Sequence, residues 1–167
     1  MKRNKFLSML LLALAVFTYS CSSDDDGTLD SEAPVVVINE PHLEEAFVPG
    51  EEIEVDIDVT DDVALASYKI DIHWAGDDHS HRPSTMNEDD HDHYAEWDFE
   101  ISDTLSDTSG KILMPISIPI EFMHDGEMKL IKEGVYHFGV IVIDQAGNET
   151  SAFRDLFIGD DHDHDHD

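Results

Sequence analysis

The amino-acid sequence predicts an all-β fold, an antiparallel β-sandwich of about seven strands. Three observations carry the prediction. Apolar and polar residues alternate at a period of two in one segment after another. Turn signals such as Val48-Pro49-Gly50 and Ala146-Gly147-Asn148 separate those segments. No convincing helical period and no internal repeat is found along the chain.

Taken in order, Val35–Ile38 is a short apolar run after Pro34. In 52–59, Ile53, Val55, Ile57 and Val59 alternate with Glu52, Glu54, Asp56 and Asp58. Tyr68, Ile70, Ile72 and Trp74 form the third inward set, with Lys69, Asp71 and His73 outward. Ala95, Trp97, Phe99 and Ile101 form the fourth. Ile112, Met114, Ile116, Ile118 and Ile120 form the fifth, where Pro115 and Pro119 lack ladder donors and place the strand at an edge or a bulge. Tyr136, Phe138, Val140 and Val142 form the sixth, and 153–158 closes the domain. Gly134-Val135-Tyr136 has the form of a tyrosine corner. Asp61-Asp62-Val63 and Asp144-Gln145-Ala146-Gly147-Asn148 resemble turns of bacterial immunoglobulin-like modules. The expected architecture is therefore an Ig-like sandwich over residues 34–159, its strands lettered A to G.

Length and charge bound the rest. A chain of 167 residues argues for one domain. Asp and Glu number 39 against 9 Lys and Arg, a formal net charge of −30, which excludes an ordinary nucleic-acid binder. One cysteine excludes an internal disulfide and any multi-thiolate metal site.

Residues 1–20 read as a signal peptide. Lys2, Arg3 and Lys5 precede an apolar run, Phe6–Phe17, that is too short to span a bilayer. Thr18-Tyr19-Ser20-Cys21 resembles the lipobox of bacterial lipoproteins, with Thr18 where Leu is usual. That resemblance implies a diacylglycerol on Cys21, attachment to a membrane through it, and a bacterial outer-membrane lipoprotein. Residues 21–33 read as an acidic tether. Ser22-Ser23-Asp24-Asp25-Asp26 also resembles the surface-export signal of Bacteroidota lipoproteins, which would place the domain outside the cell. Loss of the signal leaves 39 acids against 6 bases, net −33.

The Ig order gathers imidazoles at one end. The A–B connection carries His42, the end of strand C His73, the following loop His79 and His81, the E–F connection His124, and the start of strand F His137. His91 and His93 lie further along the loop after C, and none falls in the B–C or F–G turns. Strands C and F are neighbours in such a sheet. Alternation puts His73 and His137 on one outer face, where cross-strand Cβ atoms lie about 4.5–5.5 Å apart. His79-Ser80-His81 places two further imidazoles on one side of an extended segment. Imidazole favours Zn²⁺, with Cu²⁺ or Ni²⁺ as alternatives, over Ca²⁺ and Mg²⁺. The expected ligands are drawn from His42, His73, His79, His81 and His137. His91, His93, His124 and the tail's His162, His164 and His166 form a secondary, metal-collecting set. The Asp/His tail, residues 160–167, also reads as a solubilising extension. Protons compete for imidazole, so binding should weaken below about pH 6. At the opposite end, Asp61, Asp62, Asp144 and Asn148 could hold Ca²⁺, although turn and capping roles suit Asx residues better there.

Asn39-Glu40-Pro41-His42, the run Leu65–His73, His79-Ser80-His81, Tyr136-His137-Phe138, Asp144 and Gly147-Asn148 together resemble a lipoprotein family of Bacteroidota, domain of unknown function 4625. The resemblance covers about residues 34–158. It implies an Ig-like lipoprotein and no particular activity. The expected function is thus a lipid-anchored envelope module that binds a transition metal through clustered histidines. The alternative is an adhesion or glycan-binding accessory module using Trp74, Trp97 or Tyr94. An enzyme is not expected: HExxH, G-x-S-x-G and a free cysteine nucleophile are all missing.

Overall fold

The computed structural model describes residues 30–76 and 93–159. The signal peptide, nearly all of the tether, the loop carrying His79, His81 and His91, and the Asp/His tail lie outside the described residues. None of the described residues belongs to a helix long and apolar enough to cross a membrane.

Eleven strands form three sheets among the described residues. β1 (Val35–Glu40), β3 (Glu52–Thr60) and β7 (Ser109–Ser117) make the first, with β3 central. The second runs β2 (Glu45–Phe47), β11 (Glu149–Ile158), β10 (Gly134–Asp144), β4 (Leu65–Trp74), β6 (Phe99–Thr104). A small third sheet holds β5 (Tyr94–Ala95), β9 (Glu127–Ile131) and β8 (Glu121–His124). β2 on β11 and β5 on β9 are parallel pairs, and the others are antiparallel.

The alternation in the sequence becomes the two facing layers of the core. Ile53, Val55, Ile57 and Val59 of β3, with Ile112 and Ile116 of β7, face Ile70 and Ile72 of β4 and Tyr136, Phe138, Val140 and Val142 of β10. Each such side chain, fully buried, stabilises the fold by roughly 1.5–3 kcal/mol. The odd-numbered neighbours on β10 face outward, which is what places His137 on the outer surface of the second sheet.

Several expectations are met and some are corrected. β7 is an edge strand, so Pro115 within it costs no second ladder. That strand stops at Ser117, and Ile120, expected inward, is 60% exposed. The segment expected as one strand over 95–101 is two. β5 joins the small sheet, and β6 pairs with β4. Glu96–Asp98 breaks the ladder between them, while Trp97 stays buried as packing rather than as strand. The short strands β2, β8 and β9 were not anticipated either.

The tyrosine corner is present. Tyr136 donates its hydroxyl to the Lys132 carbonyl at 2.8 Å, and its burial pushes the phenol well above its ordinary range. Gly134 sits at φ 149°, where a Cβ would lie 2.3 Å from Trp74 Cη2, so only glycine lets the indole close over the corner.

These pairings gather the strand ends as the Ig order requires. The end of β4 meets the start of β10 through Trp74↔Tyr136. The Gly159 N–H reaches the Phe47 carbonyl at 2.8 Å, and the Glu44 N–H reaches that of Asp155 at 2.8 Å, so the β1–β2 corner shares that end.

Candidate metal centre

His73 and His137 are register partners on β4 and β10. Their rings stand edge to face with centroids 5.5 Å apart. A third strand completes the row, because Asp155 on β11 is the register partner of His137. His137 Nδ1 lies 2.8 Å from Asp155 Oδ1. His73 Nδ1 lies 2.7 Å from Oδ2 of Asp71, two residues back on the same face of β4.

Two imidazoles are thus held on their Nδ1 side by carboxylates. The tautomer that donates from Nδ1 carries its lone pair on Nε2. A carboxylate fixing the second nitrogen of a ligating histidine is a recurrent supporting arrangement in metal sites. His73 and His137 are partly exposed, with 45% and 30% of their side chains open to solvent. An ion from solution therefore has access. The adjoining position in the row of strands is also built for Asp71. Gly139 is its register partner, and a Cβ at Gly139 would meet Asp71 Oδ1 at 2.8 Å and the Phe153 ring at 3.0 Å. Next to it, Glu100 is paired with Lys69 at 2.7 Å, a contact that raises the lysine's pKa.

The other described histidines, His42, His93 and His124, do not join this row. His42 lies at the β1–β2 corner with Glu40 and Glu45, and donor atoms of these three all fall within 4.8 Å of one another. His93 is exposed, and its carbonyl accepts the Leu130 N–H at 2.9 Å. His124 ends β8, its ring against Phe122 and its Nε2 3.6 Å from Asp125. His79, His81, His91, His162, His164 and His166 lie outside the described residues. Asp71, Asp155, Glu40 and Glu45 were not singled out from the sequence. Asp71-x-His73 carried a usable signal, since a period of two puts both on one face. Asp155 carried none, because its position depends on the β10–β11 register.

At the other end, the Asx residues do turn work. Asp61 Oδ1 accepts the Val63 and Ala64 N–H groups at 3.0 and 2.8 Å. Asp144 accepts from the Asn148 backbone and side chain at 2.8 and 2.7 Å. The aromatic residues named for a glycan surface are largely engaged in packing. Trp97 is buried, and Trp74 stacks edge-on to Tyr136 with Lys132 over its ring.

The family model for a domain of unknown function, DUF4625, matches residues 19–159, most of the chain. The chain belongs to this family. A search of curated proteins gives no match. Among solved structures, OgpA from Akkermansia muciniphila aligns at 16% identity and TM-score 0.43, covering 77% of this chain and 30% of that one. Its catalytically inactive form in complex with an O-glycopeptide substrate aligns equally. Spo0M, a sporulation control protein from Bacillus subtilis, aligns at 14% identity and TM-score 0.37, over 77% of this chain and 49% of that one. The chain thus spans less than half of each of these structures, and likeness this distant carries no functional inference. What this DUF4625 domain offers chemically is the imidazole–carboxylate row across β4, β10 and β11.

Proposed function

We propose that this protein is a lipid-anchored cell-envelope module that captures a transition metal ion, Zn²⁺ before Cu²⁺ or Ni²⁺, and that it binds the ion without catalysis. The observation that supports the reading is the His73–His137 pair, matched in register and held at both Nδ1 atoms by Asp71 and Asp155. Two imidazoles with two carboxylates are a donor set that favours a dication. His79 and His81, a few residues beyond the end of β4, are the proposed additional ligands. The tail histidines act as a weak collecting arm. Cys21 carries the lipid, in an outer-membrane lipoprotein whose acidic tether suits export to the surface.

The test is calorimetry and metal analysis on the chain from Cys21 to Asp167. Zn²⁺ binds stoichiometrically, and binding survives deletion of 160–167. His73→Ala with His137→Ala removes the bound equivalent that belongs to this pair, and His79→Ala with His81→Ala weakens it. Normal binding in the His73/His137 variant, or loss of all tight binding with the tail, would refute the site.

A further inference from the structure

We infer that Glu40, His42 and Glu45 form a second, separate site for a divalent transition-metal ion, bound through His42 Nδ1. It is independent of the His73–His137 pair and stands on its own geometry.

The corner is built by the chain leaving β1 and entering β2. The β1–β3 register shifts between Ile38 and Glu40, a bulge that changes the aim of the last residue of the strand. Glu44 takes a left-handed φ of 59°, and the Glu45 N–H returns to the His42 carbonyl at 3.4 Å. This turn stacks residues 42 and 45. Glu45 Oε2 accepts the His42 backbone N–H at 2.8 Å and also stands 3.9 Å from His42 Nδ1. Glu40 Oε2 contacts the same Nδ1. One imidazole nitrogen and two carboxylate oxygens therefore converge on one point. Bond lengths of about 2.0–2.2 Å to a tetrahedral Zn²⁺ put donor atoms roughly 3.3–3.6 Å apart. To meet that spacing the 3.9 Å separation from Glu45 must close slightly and the shorter Glu40–Nδ1 contact must open around the ion.

Charge argues the same way. Two carboxylates share one imidazole, so even a protonated ring leaves the corner net negative, whereas a dication neutralises both acids. One nitrogen with two oxygens suits Zn²⁺, with water completing the coordination. A neutral ring binds the ion through the Nδ1 lone pair with its one proton on Nε2, and an imidazolium must first give its Nδ1 proton to solvent. The side chains of His42, Glu40 and Glu45 are 69%, 35% and 37% exposed, so an ion reaches them from solvent.

The two sites differ in the nitrogen used. His42 presents Nδ1 to its carboxylates as ligand neighbours, whereas His73 and His137 have Nδ1 committed to Asp71 and Asp155 and would bind through Nε2. Long-range ¹H–¹⁵N spectra of the histidine rings read this directly. On the chain from Cys21 to Asp167, Zn²⁺ shifts Nδ1 of His42. The shift persists in His73→Ala/His137→Ala and is lost in Glu40→Gln/Glu45→Gln, whose amide spectrum away from 40–47 is unchanged. Should the double glutamine variant misfold, His42→Gln replaces it, read as the loss of one bound equivalent by calorimetry. The inference is overturned if His42 does not respond to Zn²⁺, responds at Nε2, or responds undiminished in the glutamine variant. It is also overturned if His42 falls silent in the His73/His137 variant, since that means one shared ion. Silence of His73 and His137 alone removes the other site and leaves this one standing.

Discussion

Asp144 shows how one side chain holds a turn. It is buried, and burial works to raise its carboxyl pKa. Hydrogen bonds from Asn148, side chain and backbone, and from the Gly147 and Ala146 backbones outweigh that and hold the group below its ordinary 3.8. A carboxylate whose folded pKa is lowered adds stability that is fully present above the unfolded value. That stability is lost as pH falls through the folded value. Asp144→Asn therefore unfolds at a lower urea midpoint than the parent at pH 6. The gap closes as pH drops below about 4, where the parent's carboxyl also protonates. Parallel urea titrations from pH 7 to pH 2 measure it, and a gap of constant size would show that the charge contributes nothing. The sequence pointed to this turn correctly, because Asx residues beside Gly147 act on backbone within a few positions.

At the scale of strands, the proposed metal-binding face depends on a residue outside the proposed ligand set. Gly139 leaves room for the Asp71 carboxylate on one side and the Phe153 ring on the other. The conflicting Asp71 atom is the far end of a side chain, so Gly139→Ala folds but pushes Asp71 off His73 Nδ1. Loss of such a supporting contact weakens metal affinity by about 10- to 100-fold. Competition with a chromogenic chelator measures the change, while circular dichroism checks the fold. Unchanged affinity in a folded variant would mean that Asp71 does not position His73. The strand set itself was legible wherever alternation was uninterrupted, as in β3, β4 and β10. It failed at 95–101, where alternation continued through Trp97 although the ladder did not. A buried indole satisfies the apolar pattern without any backbone partner on its strand.

Across the whole molecule, the excess of acids sets how the fold responds to salt. The net charge of −30 works against compactness through self-repulsion. On the outer face of β3, Asp56 and Asp58 share the single ammonium of Lys111, at 2.6 and 3.4 Å. The Debye length shrinks from about 30 Å at 0.01 M salt to about 8 Å at 0.15 M. The thermal midpoint should therefore rise with added NaCl by a few degrees, equivalent to about 1 kcal/mol in a domain of this size. A scanning calorimetry series at fixed pH checks it. A midpoint that falls with salt would mean that local ion pairs outweigh the global repulsion.

The sequence by itself determined the all-β class, the inward and outward faces of the long strands, the tyrosine corner and the end of the sandwich where His42, His73 and His137 gather. All of these follow from a period of two and from turn chemistry, which act over a few residues. Only the tertiary structure decided which imidazoles meet which acids. His73 and His137 share a row with Asp155 because of the β4–β10–β11 register. His42 is claimed instead by Glu40 and Glu45, through a bulge and a left-handed turn. Register and corner geometry couple residues far apart in the chain, and a local pattern carries no information on that coupling.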